Sequence, residues 1–295
     1  MNLSKDILII VPHPDDEILM CAGVIRRGLT EKSRVSVAVV TNGDYLAPDQ
    51  TKGSRRLSES LIALQMLGMH EDDIYFLGYP DTGMEAQVSF LTKLYRTDDP
   101  SHVFSTQVGQ HTYGIIGGKR DFSFARKGVH ARYSKADFQS DLDKLIRWTK
   151  PQLIITSSRW DTHGDHSALF YFVHDAIIRL QTEMGTVPKL WESLIHAPAG
   201  DDNWPLPDTP YDEFTMPPQL EQETDLHWGK RIQIPLPEEM LRRPIERHLK
   251  YQAIQAYKSA LNAKQEPEVA RYLLAFAKCE ELFWEYTNFA EQLLR

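Results

Sequence analysis

The sequence predicts an α/β fold in which a mostly parallel sheet is covered by helices on both faces. Two observations lead to this prediction. Short apolar runs rich in β-branched residues alternate with amphipathic stretches of helical period, and the turns between them are short. This alternation is typical of parallel strands joined by crossover helices, which bury both faces of the sheet.

Each element follows from its own stretch of sequence. The run DILIIV at 6–11 is a buried strand, and apolar residues at helical spacing follow it at once. The predicted strands are 6–11, 34–41, 73–81, 152–158, 189–198 and 230–237. The predicted helices are 17–29, 54–68, 135–150 and 167–181, with two more over 238–292.

Two segments, 82–134 and 197–229, have little periodicity, and long irregular segments of compact domains are usually functional or disordered. The first is long enough to form a wall or lid of a substrate pocket. No stretch resembles a linker between domains. We therefore expect a single domain over 1–295, with a core over about 1–200 and a C-terminal strand and helices over about 230–295.

Composition excludes several kinds of partner. The chain has 295 residues and a formal net charge of −8, which argues against nucleic acid or an anionic membrane surface. No apolar run approaches the ~20 residues of a membrane span, and the N-terminus lacks the pattern of a secretory signal. Two cysteines, Cys21 and Cys279, cannot build a disulfide framework or a cysteine zinc site. We expect a cytoplasmic protein without a membrane span.

Polar clusters follow two of the predicted strands directly, each at the start of a helix. PHPDDE (12–17) comes after the first strand, and SRWDTHGDHS (158–167) after the fourth. In open α/β sheets the carboxyl ends of the strands hold the ligand site. Acids at such places are often only helix N-caps, but capping alone does not call for two clusters of histidine and aspartate.

The two clusters together offer the ligands of a zinc site. His13 and Asp16 are three residues apart and can turn toward one point, and Asp15 can face the same cavity. The second cluster adds three further candidates: His163, Asp165 and His166. Imidazole and carboxylate groups bind Zn²⁺, and three protein ligands plus a water are the usual catalytic arrangement. Water bound to the metal has a pKa near ~7, so hydroxide is accessible at neutral pH.

Two other functions fit the same residues. One is a sugar- or nucleotide-binding α/β protein with a non-catalytic site, which would have no need of Asp15 beside a filled metal site. The other is a magnesium-dependent phosphotransferase that uses the aspartates. The histidines favour Zn²⁺ over Mg²⁺, which prefers oxygen ligands.

The chain resembles the PIG-L/LmbE-like family of zinc-dependent N-acetylglucosaminyl deacetylases. The resemblance rests on PHPDDE and on HGDH in the second cluster. Four further stretches support it: RRLSESLIALQMLG, LGYPDTG, KYQAIQAYKSA and LLAFAKCEELFW. It implies a Rossmann-like domain and a hydrolase of linear amides. In such an enzyme a metal-bound water removes the acetyl group of an N-acetylglucosamine-type glycoconjugate.

The resemblance also implies roles for individual residues. Three match the family's zinc ligands, with one ion per chain: His13, Asp16 and His166. Asp15 matches the general base, and His163 the histidine that polarises the carbonyl or protonates the amine. Asp165 would then orient a neighbouring histidine.

Substrate contacts are predicted at three positions. Arg56 and Asp81 match positions that the family uses around the sugar, and His196, at the end of a predicted strand, is expected to line the cavity. The expected partner is a small N-acetyl amino sugar, and a homo-oligomer is left open. One departure concerns Gly164, which stands where the family usually has proline and which we expect to loosen the loop beside His163.

Overall fold

Seven strands lie side by side in one sheet in the computed structural model, which describes residues 3–261 and 267–289. They are β1 (Asp6–Val11), β2 (Arg34–Thr41), β3 (Ile74–Tyr79), β4 (Leu153–Ser157), β5 (Lys189–Ser193), β6 (Ile232–Pro235) and β7 (Glu280–Tyr286). Their order across the sheet is β3-β2-β1-β4-β5-β7-β6. The first five strands are parallel, and β7 runs antiparallel to both β5 and β6.

Helices cover both faces of this sheet, as the sequence predicts. They are α1 (Asp16–Thr30), α2 (Thr51–Met66), α3 (Phe90–Arg96), α4 (Phe122–Lys127), α5 (Lys135–Thr149), α6 (Gly164–Met184), α7 (Leu220–Glu223), α8 (Leu249–Ile254), α9 (Lys258–Leu261) and α10 (Pro267–Leu274). Alternate residues of β1 face opposite layers. Ile7, Ile9 and Val11 pack in one core with α1 and α2, whereas Leu8 and Ile10 pack in the other with α5 and α6.

The order of the strands creates a switch point between β1 and β4. From β1 the chain continues outward to β2 and β3, and it then returns to place β4 on the other side of β1. Adjacent strands that lead away in opposite directions leave a crevice at their carboxyl ends. PHPDDE follows β1 and SRWDTHGDHS follows β4, so the fold brings the two clusters together.

The C-terminal segment differs from the prediction of two helices over 238–292. Its described residues form two 3₁₀ turns, the short helices α8 to α10 and the strand β7. The run ELFWEY (281–286), which has helical spacing, lies in β7. All of these residues except Glu285 are buried, because β7 is covered on both faces and flanked by β5 and β6. An apolar run this short does not distinguish a buried strand from a buried helix. Residues 262–266 and 290–292 lie outside the described residues.

The two irregular segments contain only short regular elements. Residues 82–134 include α3 and α4, and 197–229 include α7 and part of a 3₁₀ turn at Trp228–Lys230. Within residues 3–261 and 267–289, no helix combines the length and the apolar character that crossing a bilayer requires. The assignment of the whole chain to one domain stays a prediction.

A buried ion pair from the C-terminal segment forms hydrogen bonds with backbone groups of α1. Glu281 accepts from Gly23 N at 2.8 Å and from Val24 N at 2.9 Å. Lys250 Nζ donates to Leu19 O at 2.8 Å and to Glu281 Oε1 at 2.9 Å. Gly23 N and Leu19 O are the donor and acceptor that the i to i−4 pattern of α1 places opposite each other, so the ion pair contacts both of these groups. The ion pair thus ties α8 and β7 to the helix that begins at the PHPDDE cluster.

Candidate metal centre and catalytic cleft

Three predicted ligands form a tight triangle at the ends of β1 and β4. His13 Nδ1 lies 3.1 Å from His166 Nε2 and 3.4 Å from Asp16 Oδ2, and Asp16 Oδ2 lies 3.3 Å from His166 Nε2. Ligands bonded at ~2.0–2.1 Å to one tetrahedral zinc ion are about 3.3–3.4 Å apart. All three side chains are buried. The spacing and the chemistry of these donors fit a zinc ion.

The other nitrogen of each histidine faces a buried carboxylate. His13 Nε2 lies 3.2 Å from Asp165 Oδ2, and His166 Nδ1 lies 3.1 Å from Asp161 Oδ2. Because an ionised carboxylate only accepts hydrogen bonds, these contacts place the ring protons on those nitrogens. When both rings are neutral, His13 Nδ1 and His166 Nε2 turn their lone pairs toward the same point, which is how carboxylates orient histidines that bind a metal.

Asp161 is a residue that our sequence reasoning did not single out. Besides His166, its Oδ2 accepts from the backbone N–H groups of Ile195 and His196, both at 3.0 Å, and its Oδ1 accepts from His163 N at 3.0 Å. Burial raises the pKa of Asp161, but His166 outweighs it and the net pKa lies below its usual range. Its place inside the second cluster, two residues before His163, was the available signal.

The two imidazoles of the triangle stabilise the ionised form of Asp16, the form in which a carboxylate binds a metal. Burial raises the pKa of Asp16, yet His166 and His13 outweigh burial and lower this pKa to about 2. Burial also lowers the pKa of His13, but Asp16 and Asp165 raise it well above its ordinary value. A divalent cation would replace the histidine proton as the partner of Asp16.

Two other donor sets overlap this triangle. The donor atoms of His13, His163 and His166 lie within 4.8 Å of one another, as do those of His13, Asp81 and Asp165.

His163 Nδ1 accepts from Asp165 N at 3.1 Å, so the proton of the neutral ring sits on Nε2. Burial and the neighbouring histidines push the pKa of His163 far below its usual range. This geometry suits His163 as a neutral hydrogen-bond donor better than as a ligand.

Asp15 stands beside the triangle in a rare backbone conformation. Its φ is 116° and its ψ −34°, and its side chain makes no capping bond to α1. Arg56 Nη2 donates to Asp15 Oδ2 at 2.9 Å. Burial raises the pKa of Asp15 to about 7, with Arg56 opposing the rise and Asp16 adding to it. A carboxylate with this pKa can accept a proton near neutral pH.

Arg56, on α2, donates hydrogen bonds to three other residues of the protein. It donates to Pro14 O at 2.7 Å and to Gly43 O at 3.2 Å, in addition to Asp15. These contacts hold both the backbone before Asp15 and its carboxylate. Contact between Arg56 and a sugar stays a prediction.

Asp81 lies at the edge of a cleft of about 230 Å³. Its backbone N–H donates to Asp44 Oδ1 at 2.7 Å, and its Oδ1 accepts from Gly83 N at 2.9 Å. The cleft is lined by residues 44–47, 80–82 and 105–108. Residues 82 and 105–108 of the irregular segment 82–134 thus line this cleft, and the role of the segment as a wall of a substrate pocket stays a prediction.

His196 lies in the loop after β5, against the histidines of the second cluster. Its ring centroid is 5.5 Å from that of His163 and 5.1 Å from that of His166. Its Nδ1 lies 2.9 Å from Asp201 Oδ2, and its ring stacks on Tyr272 with a centroid separation of 5.6 Å. Burial lowers the pKa of His196, but Asp201, Asp161 and Asp16 together raise it above its ordinary value. His196 thus lies beside the site, and Asp201 and Tyr272 are neighbours that the sequence reasoning missed.

The loop before α3 passes so close to Gly164 that it leaves no room for a side chain. Its N–H donates to Met84 O at 2.7 Å, a bond that proline could not make. A Cβ at this position would lie 2.7 Å from Ala86 Cα and 2.3 Å from Ser89 Oγ. The loop is therefore packed at Gly164, and the departure from the family's proline has a steric reason.

We expect Gly164→Ala to lower the free energy of unfolding by about 1–3 kcal/mol, because the added methyl group meets backbone that cannot move freely. Denaturant unfolding measures this change. Gly229→Ala is the matched control, since a Cβ at Gly229 meets no atom within 4 Å apart from its own residue and its two chain neighbours. Equal stability of the Gly164 variant and the wild type would show that the loop yields at no cost.

Solved structures with the same fold include several enzymes. N,N′-diacetylchitobiose deacetylase from Pyrococcus horikoshii is 14% identical, with a TM-score of 0.53 over 96% of this chain and 84% of that chain. The A40926 pseudoaglycone deacetylase Dbv21 is 17% identical, with a TM-score of 0.53 over 98% and 99%. The conserved protein TT1542 from Thermus thermophilus is 18% identical, with a TM-score of 0.51 over 96% and 95%.

Sequence comparison places the chain in a family. No curated protein matches it. The sequence profile of the PIG-L family, described as GlcNAc-PI de-N-acetylase, matches residues 8–177, which are more than half of the chain. The match includes both clusters that meet at the switch point, as well as α1 to α5. The chain therefore belongs to the PIG-L family.

Proposed function

We propose that this protein is a zinc-dependent hydrolase of linear amides that removes the acetyl group from an N-acetylated amino sugar. The observation that carries the proposal is the triangle of His13, Asp16 and His166 with the carboxylate of Asp15 beside it. Family membership and the two neighbours named as deacetylases support the same reaction. We propose an N-acetylglucosamine-type glycoconjugate as the substrate.

His13, Asp16 and His166 are the proposed holders of one zinc ion per chain. A zinc ion bound there supplies Lewis acidity, which lowers the pKa of a water molecule and polarises an amide carbonyl. Asp165 and Asp161 keep the two imidazoles in the orientation that presents their free lone pairs. These five side chains would therefore hold the ion and set the orientation of its histidine ligands.

Asp15 is the proposed general base. It accepts a proton from the attacking water, and its pKa near 7 lets it hold that proton and pass it to the leaving amine. Arg56 fixes one carboxylate oxygen through Nη2, so the other oxygen is available to the water. Asp16 accepts from His13 N at 2.9 Å, and its low pKa keeps it ionised. The two adjacent aspartates thus have separate tasks.

His163 is the proposed donor to the amide oxygen. Its Nδ1 accepts from Asp165 N, which directs the Nε2 proton away from α6. A donor fixed in advance stabilises the negative charge that develops on the carbonyl oxygen as the amide is attacked, by several kcal/mol. Asp81, near His13, and His196, near His166, are the proposed contacts with sugar hydroxyl groups. The cytoplasmic location stays a prediction, and the sequence left the oligomeric state open.

Acetate release from a panel of N-acetyl amino sugars tests this function. We expect hydrolysis that a chelator abolishes and added Zn²⁺ restores, because three ligands converge on one site. Metal analysis should find about one zinc per chain, the number that one triangle can hold. Protein that binds no zinc, or phosphatase activity that depends on Mg²⁺, would instead support one of the two alternatives.

A further inference from the structure

The backbone of Asp15 is held in a conformation that it would not adopt by itself. Residues other than glycine rarely take a φ of 116°, and such a conformation costs of order 1–3 kcal/mol. It persists only where surrounding contacts determine it. The contacts of Asp15 therefore show which residues maintain the geometry of the proposed base.

Three groups of Asp15 are fixed separately. Its carbonyl accepts from Ile18 N at 2.9 Å and from Leu19 N at 3.0 Å, which begins α1. Its carboxylate receives Arg56. Its N–H donates to Glu17 Oε2 at 3.0 Å. The last bond bears directly on φ, because rotation about the N–Cα bond changes the direction of the side chain relative to this N–H.

Glu17 is itself held by residues from two other helical regions. Tyr257, between α8 and α9, donates its hydroxyl to Glu17 Oε1 at 2.6 Å. The hydroxyl of Ser60, on α2, donates to the same oxygen. Glu17 and Ser60 are completely buried, and Tyr257 is nearly so. Each oxygen of the Glu17 carboxyl thus has a fixed partner, and one of them is the backbone of Asp15.

We propose that Tyr257 and Glu17 are positioning residues that hold Asp15 at positive φ and so aim its carboxylate at the attacking water. The structural part of this proposal, that the two residues maintain the positive φ of Asp15, stands on the contacts alone. The consequence for turnover rests on the proposed function. Without an acceptor for its N–H, Asp15 would relax toward negative φ. Its Cβ would then point elsewhere although the zinc ligands stay in place.

Crystal structures of zinc-loaded variants test the structural part without any substrate. In Glu17→Gln the amide oxygen can accept from Asp15 N while the amide NH₂ donates to the hydroxyl oxygens of Tyr257 and Ser60. Glu17→Met has a similar volume and no oxygen to accept from Asp15 N. We expect Asp15 to keep positive φ in the glutamine variant and to lose it in the methionine variant. Tyr257→Phe should displace the Glu17 carboxyl. Positive φ at Asp15 in the methionine variant would overturn the proposal.

Steady-state kinetics test whether a displaced Asp15 carboxylate slows turnover. Glu17→Met and Tyr257→Phe should lower kcat by about 10–100-fold with KM and zinc content unchanged, the usual effect of a small misplacement of a catalytic group. In an Asp15→Ala background neither change should reduce the residual rate further. A further loss in that background would show a general structural effect and overturn the positioning role.

A matched control removes a buried tyrosine hydroxyl elsewhere. Within the described residues the hydroxyl of Tyr133 has no hydrogen-bond partner, so Tyr133→Phe should leave kcat unchanged. Wild-type protein that hydrolyses no acetylated sugar would refute the proposed function alone. The φ of Asp15 in the Glu17 variants would still decide the inference.

Discussion

Replacing Asp15 with asparagine should lower kcat by about 10²–10⁴-fold, the contribution typical of a general base. Asparagine has nearly the same shape, tolerates positive φ and offers an oxygen to Arg56, but it cannot take up a proton. The zinc content should therefore stay at the wild-type level. Acetate release and metal analysis of the same preparation measure the two quantities.

A variant of the adjacent residue separates the two aspartates. Asp16→Asn should lose both zinc and turnover, because it removes the carboxylate that lies 3.3 Å from His166 Nε2 and 3.4 Å from His13 Nδ1. Full turnover in the Asp15 variant would refute its assignment as the base. Loss of zinc in that variant would instead make Asp15 a ligand.

Replacing Lys250 with methionine should lower the free energy of unfolding by about 3–5 kcal/mol, because it leaves the Glu281 carboxylate buried without a cation. The loss also removes the donor to Leu19 O inside α1. Denaturant unfolding followed by circular dichroism measures the change. Turnover at low temperature should be affected far less than stability, since the pair contacts α1 at Leu19 to Val24, beyond the residues that form the metal triangle.

The double variant Lys250→Met/Glu281→Leu should recover most of that stability. With both charges removed no buried ion lacks a partner, and Gly23 N and Leu19 O still face each other in the i to i−4 pattern of α1. Arg147→Met is the control, because Arg147 and Glu183 form an exposed ion pair and such pairs contribute little. A double variant as unstable as the single one would mean that packing rather than charge makes this position sensitive.

Much of the sheet could be predicted from the sequence because its signals are local. The β-branched run before PHPDDE and the run before SRWDTHGDHS are buried strands, and each cluster begins a helix. Strand β7 could not be predicted in the same way. The apolar residues in this short run have a spacing that also fits a helix. The place of β7 depends on β5 and β6, which are distant in the chain.

The residues of the candidate site likewise include some that could be predicted from the sequence and some that could not. His13, Asp16 and His166 could be selected by residue type, by position after a strand and by the family resemblance. Asp161, Tyr257 and Asp201 could not be assigned a role, because each acts through a partner that only folding brings near. Tyr257, for example, is 240 residues from Glu17. Residue type alone does not distinguish such a tyrosine from an ordinary core residue.

The sequence by itself determined the class of the fold and the kinds of side chain at the ends of two strands, because hydrophobic period and residue type act over short distances. Only the tertiary structure decided which nitrogen of each histidine faces the triangle, which hydroxyl groups bond to Glu17 and which φ Asp15 adopts. Those properties depend on hydrogen bonds between segments up to 240 residues apart. Such bonds exist only once β4 has paired with β1 and the C-terminal segment has packed on α1.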